Sequence, residues 1–263
     1  MADLAALRRD LEAMGRVVVA FSGGADSAFL AWVATDVLGS ERAECITAVS
    51  PSLAEAELED CRHLAAEWGL NWTTVETVEM ENAAYRVNDG DRCYHCKSAL
   101  MDVAAPMAAN DDATVVLGVN LDDLGDHRPG QRAAAEREAR FPLVDAGFTK
   151  DDIRRHSRQL GLRTWDKPAA ACLASRVPYG SQVSVPLLRR LDRAEAGLKA
   201  LGFRQLRVRD YGETARLEFD LGELSQVLDR RDEVVKAVKS VGYSYVTLDL
   251  EGFRSGNLNQ ALS

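Results

Sequence analysis

No apolar run in this 263-residue chain is long enough to cross a bilayer, and Met1-Ala-Asp-Leu4 does not begin a signal-peptide core. The expectation is a cytoplasmic protein with no membrane partner. Positive charge is also short: 32 Lys and Arg face 41 Asp and Glu, a formal net charge of −9. Neutralising a phosphate backbone takes clustered Lys and Arg, so this balance argues against a nucleic-acid partner. Cysteines number five, an odd count that does not suit a disulfide framework and leaves a metal or a reactive thiol as the more natural use. There is no internal repeat and no low-complexity tract. What is present is a globular composition, 46% apolar and 28% charged, long enough for one large domain and a small one.

The most informative stretch is Val17-Val-Val-Ala-Phe-Ser-Gly-Gly-Ala-Asp-Ser27, an apolar strand running into two glycines and then a helix. Gly23 and Gly24 let the backbone approach an anion, and the free N–H groups of a new helix point at it. Ser22 and Ser27 add hydroxyl donors. Asp26 suits an anion site when magnesium stands between it and the phosphates. The alternative is an ordinary strand–turn–helix connection with a capping serine. The Gly-Lys-Ser/Thr of a Walker loop is missing. The stretch instead resembles the PP-loop of the ATP pyrophosphatases, which implies cleavage of ATP between its α and β phosphates and adenylation of a substrate oxygen.

Strand-like runs at 17–21, 45–50, 72–76 and 114–118 alternate with helical patterns at 28–38, 53–68 and 97–109, and a further helix follows Thr149 over 150–160. This alternation predicts an α/β fold, a parallel sheet with helices on both faces and the ligand at the carboxyl ends of the strands. Residues 165–182, with two prolines and several small residues, read as an ordered loop. Beyond it come a helix (186–201), strands (205–210, 215–219), a helix (223–239) and a strand (244–250), a small α/β domain. The domains are therefore expected at 1–182 and 183–263.

Arg92-Cys-Tyr-His-Cys-Lys97 holds the only Cys-x-x-Cys, read here as lying in a turn. Two such thiols can share a metal or cluster, or form a redox disulfide. With Cys172 they make a trio suited to a [4Fe–4S] cluster with one open iron. Metal-free thiols, or a zinc completed by water or His95, are the other options. Cys45 and Cys61 read as packing. Arg207 and Arg209 share one face of a strand, and Arg254 sits in a glycine-flanked loop. Arginines in these places fit a polyanionic small molecule, and each taken singly also fits a surface salt bridge.

Together these segments resemble the LarE family, ATP-dependent sulfur transferases of nickel-pincer nucleotide biosynthesis. The likeness is nearly full length. It rests on 21–27, on 92–97, on His127-Arg-Pro-Gly130, on 167–180 with Ala174-Ser-Arg-Val-Pro-Tyr-Gly180, on Arg207-Val-Arg209, and on 245–250 leading into Gly252-Phe-Arg-Ser-Gly256. It implies a substrate derived from nicotinic acid, a mononucleotide with two pyridinium carboxylates, one of which is adenylated and converted to a thiocarboxylate. One type of member gives up the sulfur of a cysteine in the 167–180 loop and is left with dehydroalanine. Aligned through Ser175-Arg176 and Pro178-Tyr-Gly180, that position is Ala171 here, and Cys172 is next. The chain is more similar to a second type, which implies a [4Fe–4S] cluster on Cys93, Cys96 and Cys172, fed by an external sulfide or other sulfur donor. Sacrificial use of Cys172, and tRNA thiolation by a cluster-dependent PP-loop enzyme, are the alternatives.

By position, the resemblance implies that Ser22, Gly23, Gly24, Asp26 and Ser27 bind ATP pyrophosphate, with Asp26 near Mg2+. It places Ser175, Arg176, Arg207, Arg209 and Arg254 around substrate or phosphate, and gives Arg176 and the three cysteines to the reaction. Glu195 matches an acidic position near that site, or is a solvated helix glutamate. A homo-oligomer is implied as well.

Overall fold

A computed structural model of the chain describes residues 2–125, 129–168 and 171–254. The chain divides into two compact units, Met1–Asn82 with Asp91–Ala170, and Ala83–Gly90 with Ala171–Ser263. Among the described residues no helix is long and apolar enough to cross a membrane.

The first unit opens with α1 (Leu4–Met14), capped by Asp3, whose Oδ1 accepts the Ala5 and Ala6 N–H groups. Then come β1 (Val17–Ala20), α2 (Ala25–Leu38), β2 (Ala43–Val49), α3 (Glu55–Trp68) and β3 (Asn71–Glu76). The chain next lends α4 (Ala83–Val87) to the other unit. It returns with α5 (Arg92–Asn110), β4 (Thr114–Leu117), α6 (Pro129–Ala135), α7 (Pro142–Asp145) and α8 (Lys150–Gln159).

The four strands are parallel in the order β3-β2-β1-β4, so β1 lies between two partners. A strand covered on both faces reads as a continuous apolar run, and the period of two sends its residues to opposite layers. Val17, Val19 and Phe21 join Leu7 and Leu11 of α1 and Phe29 and Val33 of α2. Val18 joins Leu100, Met101 and Ala104 of α5 on the other face. Each such side chain, fully buried, contributes ~1.5–3 kcal/mol of transfer free energy. Helix α8 starts where expected, with a reciprocal capping box between Thr149 and Asp152.

In the second unit α9 (Val185–Ala200) buries Leu188, Leu191, Ala194 and Leu198 at helical spacing. Strands β5 (Leu206–Tyr211) and β6 (Thr214–Phe219) form a hairpin closed by Gly212-Glu213, with Gly212 at φ +70°. Two helices, α10 (Leu224–Asp229) and α11 (Arg231–Lys239), then cross over to β7 (Tyr245–Leu248), which pairs parallel with β6. The single helix expected over 223–239 is therefore two, broken at Arg230 (φ −106°, ψ 22°), whose side chain turns back to Glu233. Leu206 and Val208 are buried on one face of the hairpin, while Arg207, Arg209, Arg216 and Glu218 share the other.

The main part of the second unit runs from residue 171, so Ala171–Gln182, expected in the first domain, groups with the C-terminal residues. Arg176 bonding Glu195 of α9 and Arg209 of β5 bonding the Ser175 carbonyl tie this loop to the C-terminal residues, and Asn88 ties 83–90 to the loop. Its Nδ2 donates to the carbonyls of Pro178 and Ser181 at 2.8 and 2.9 Å, and its own carbonyl accepts the Gly180 N–H. The buried asparagine side chain thus carries 83–90 into the same unit as the loop.

Candidate functional site

The glycine turn after β1 has the geometry its composition demands. Gly23 is at φ +68°, in the left-handed region, and Gly24 at φ −72°, ψ 161° is the N-cap of α2 without a side-chain cap. The first N–H groups of α2 have no intrahelical acceptor, the arrangement that at a helix N-terminus can receive an anion. Ser22 and Ser27 brace the turn: their hydroxyls are 3.0 Å apart, Ser22 N–H donates to Ser27 Oγ, and Ser27 Oγ donates to Gly24 O. Thr47 Oγ1 holds the Phe21 carbonyl at 2.6 Å, and Trp72 Nε1 donates to Thr47 in turn.

Two further contacts fix this turn by close approach. A Cβ on Gly23 would stand 2.8 Å from Cys61 Sγ, and one on Gly118, just past β4, would stand 2.7 Å from the Ser27 nitrogen. Cys61 is fully buried, and burial pushes its thiol up to about 11; burial pushes Cys45 up to about 12. Both behave as packing residues, with Cys61 forming the floor beneath Gly23.

Asp26 donates nothing and accepts from Lys150 Nζ at 2.6 Å through Oδ2. Its other oxygen, Oδ1, is buried with no hydrogen-bond partner among the described residues. A hard cation takes such oxygens as ligands, so this carboxylate fits a magnesium ion travelling with the phosphates. Lys167 Nζ donates to Gly23 O at 3.1 Å, to Glu57 Oε2 at 2.9 Å and to Asp60 Oδ2 at 2.6 Å. Burial alone would lower its pKa, and the two carboxylates outweigh that and raise it, so the ammonium is retained.

Cys93 and Cys96 lie in the first turns of α5, which corrects the reading of Cys-x-x-Cys as a turn. The cause is local: the Asp91 carbonyl accepts the Tyr94 and His95 N–H groups and opens the helix just ahead of the thiols. Three positions apart on a helix, the two thiols lie on one face, Cys93 exposed and Cys96 half-buried. Gly130 packs there, since a Cβ on it would be 3.1 Å from the Cys93 carbonyl oxygen. Tyr94 Oη donates to Glu136 Oε2 at 2.6 Å. Of the sequence segment 127–130, residues 127 and 128 lie outside the described residues, as do 169–170 and 255–256 of the other two loops. Among the described residues no three His, Cys, Asp or Glu side chains are gathered as a metal site. The thiol pair is nonetheless a donor set that suits iron or zinc.

In the second unit, Cys172 is half-buried and opens the 3-10 turn Leu173–Arg176. Its carbonyl oxygen accepts three donors: Ser175 N–H at 3.0 Å, Ser175 Oγ at 2.7 Å and Arg176 Nη1 at 2.9 Å. Arg176 also bonds the Ala171 carbonyl and forms a two-point pair with Glu195, Nε to Oε1 and Nη2 to Oε2, both 2.9 Å. Glu195 is therefore not a solvated helix glutamate. It is 3% exposed, and its Oε1 also accepts the Val208 N–H at 3.0 Å. Burial pushes its pKa up, but Arg176 and the Val208 N–H outweigh this and hold the carboxyl below its usual range.

Arg209 is placed similarly. Its Nε and Nη2 bind Glu218 Oε2 at 3.0 and 2.8 Å, and its Nη1 donates to Ser175 O at 2.7 Å. Glu218 is fully buried and takes Arg216 on its other oxygen. Arg207 stacks over Phe253, 4.9 Å to the ring centroid, and Arg254 pairs with Glu251. The sequence reading left Lys150, Gly118 and Glu218 without a role. Gly118, at the end of a strand beside the glycine turn, is the one with a readable signal.

The family model for NAD synthase matches residues 5–102, from α1 into α5. An uncharacterized protein of Synechocystis is 45% identical, covering 98% of this chain and 97% of its own. The pyridinium-3,5-bisthiocarboxylic acid mononucleotide synthase of Lactiplantibacillus plantarum is 36% identical, covering 100% of this chain and 94% of its own. An uncharacterized protein of Methanocaldococcus jannaschii is 29% identical over 91% of each chain.

Proposed function

Because the chain belongs to the LarE family, with the pyridinium-3,5-bisthiocarboxylic acid mononucleotide synthase as its relative, we propose that it converts a pyridinium carboxylate to a thiocarboxylate at the expense of ATP. It is an ATP-dependent enzyme, and the observation that carries the rest is 36% identity to a named synthase over the full length of this chain, combined with an intact glycine turn. Ser22, Gly23, Gly24 and Ser27 would take the pyrophosphate, and Asp26 would hold magnesium, which when bound would offset charge between carboxylate and phosphates. A substrate carboxylate oxygen attacks the α-phosphorus, the α–β bond breaks and pyrophosphate leaves. Hydrosulfide then attacks the acyl carbon, the bond to the AMP oxygen breaks, and AMP and the thiocarboxylate remain.

Sulfur delivery rests on the three thiols. Cys93, Cys96 and Cys172 would hold a [4Fe–4S] cluster, which when bound supplies an open iron able to take up hydrosulfide from an external donor. Two observations support this reading: Cys93 and Cys96 share a helix face, and the position that carries the sacrificial cysteine in the other family type is Ala171. Arg207 and Arg254 are the guanidiniums offered to the dianionic ring and its phosphate. The test is release of AMP and pyrophosphate from ATP in the presence of pyridinium-3,5-biscarboxylic acid mononucleotide. Release that depends on the dicarboxylate supports the reading, and absence of release with folded, nucleotide-bound protein contradicts it.

A further inference from the structure

Arg176 and Arg209 were expected among the groups around substrate or phosphate, yet each is buried against its own carboxylate. Beyond those carboxylates they reach the Cys172 turn, its backbone and the Ser175 hydroxyl. Arg176 Nη1 meets the carbonyls of Ala171 and Cys172, and Arg209 Nη1 meets that of Ser175. The Cys172 carbonyl, with three donors on it, has its peptide plane fixed. A guanidinium held at two points by a buried carboxylate has lost its rotamer freedom already, so its remaining donors sit at defined places.

We propose that Glu195 and Glu218 are positioning residues for Cys172, acting through Arg176 and Arg209 as two struts behind the turn. Glu195, from α9, aims Arg176 at the start of the turn. Glu218, from β6, aims Arg209 at its end. The function served, setting the direction of the Cys172 thiol for sulfur delivery, rests on the reading above, but the placement does not. Buried ion pairs of this kind contribute little net stability compared with apolar replacements, and fixing one conformation is a use that explains them here.

Alkylation of the cluster-free chain tests this without any turnover. Rates are read separately for Cys172, Cys93 and Cys96 by peptide mass spectrometry, with the latter two as internal controls in the other unit. In Glu195→Gln, Glu218→Gln and Arg176→Lys, Cys172 is expected to react faster by about fivefold, the factor for one lost net hydrogen bond, while Cys93 and Cys96 keep their rates. The double variant Arg176→Met with Glu195→Met separates positioning from stability. An apolar pair keeps the chain folded, and Cys172 should still react fast. Wild-type Cys172 rates in Arg176→Lys or in the double variant would overturn the proposal, as would equal acceleration of all three thiols. Failure here with substrate-dependent AMP release intact would remove the struts and leave the proposed function standing.

Discussion

Lys167 Nζ donates to the carbonyl oxygen of Gly23 across 144 positions of sequence, and Glu57 and Asp60 hold the same ammonium from α3. A lysine on this carbonyl fixes the peptide that leads out of the left-handed Gly23 into the helix, and so fixes which way the following N–H groups point. Lys167→Met keeps the bulk and removes the donor. A charge-assisted hydrogen bond of this kind supports a rise in the KM for ATP of about tenfold, with the KM for the dicarboxylate unchanged. Steady-state kinetics with each substrate varied in turn checks this, and equal effects on both would contradict it.

Gly23→Ala meets two obstacles, the positive φ and the Cys61 sulfur 2.8 Å from the new methyl. The backbone strain alone costs about 1–3 kcal/mol. Adding Cys61→Ala makes room for the methyl but leaves the φ strain. The double variant should therefore recover part of the thermal stability and little of the ATP binding, as read by melting curves with and without nucleotide. Full recovery of both would show that the contact, not the conformation, is what demands glycine.

Of the five cysteines, Cys45 and Cys61 are fully buried, with thiols pushed up to about 12 and about 11. The thiolate is the reacting form, so a folded, cluster-free chain should take label at Cys93, Cys96 and Cys172 alone at mildly alkaline pH. Denaturant should then expose the other two. Labelling of Cys61 in the folded chain would mean that the floor of the glycine turn opens.

Glu195 has its folded pKa held below the ordinary value of 4.5. Between the lowered value and 4.5, the unfolded chain binds a proton that the folded chain does not. Its contribution to stability is therefore fully present above pH 4.5 and is lost as the pH falls through the folded value. Melting temperature followed from neutral pH downward should drop more steeply below 4.5 in the wild type than in the double variant Arg176→Met with Glu195→Met. Parallel curves would contradict the assigned pairing.

The legible parts of this molecule are those set by neighbours in sequence. The apolar β1 followed by Ser22–Ser27 specifies strand, turn and helix locally, and the β/α alternation specifies a parallel sheet. The Thr149 cap announced α8 for the same reason. What escaped depends on distant partners. Nothing around Glu195 distinguishes it from a solvated glutamate until Arg176 and the Val208 N–H close on it. The grouping of 83–90 with the C-terminal unit involves the buried side chain of Asn88 and the Arg86 carbonyl, whose partners are some ninety positions away. The break at Arg230 carries neither glycine nor proline to mark it.

The central claim is that sulfur passes through Cys93, Cys96 and Cys172 without consuming the chain. The direct measurement is anaerobic turnover of iron- and sulfide-reconstituted protein with excess ATP, dicarboxylate and sulfide, followed by intact mass and peptide mapping. The account predicts about four irons per chain, several thiocarboxylates formed per chain and Cys172 chemically unchanged, with iron content and turnover lost in Cys93→Ala, Cys96→Ala and Cys172→Ala. One product per chain, with Cys172 converted stoichiometrically to dehydroalanine, would contradict it.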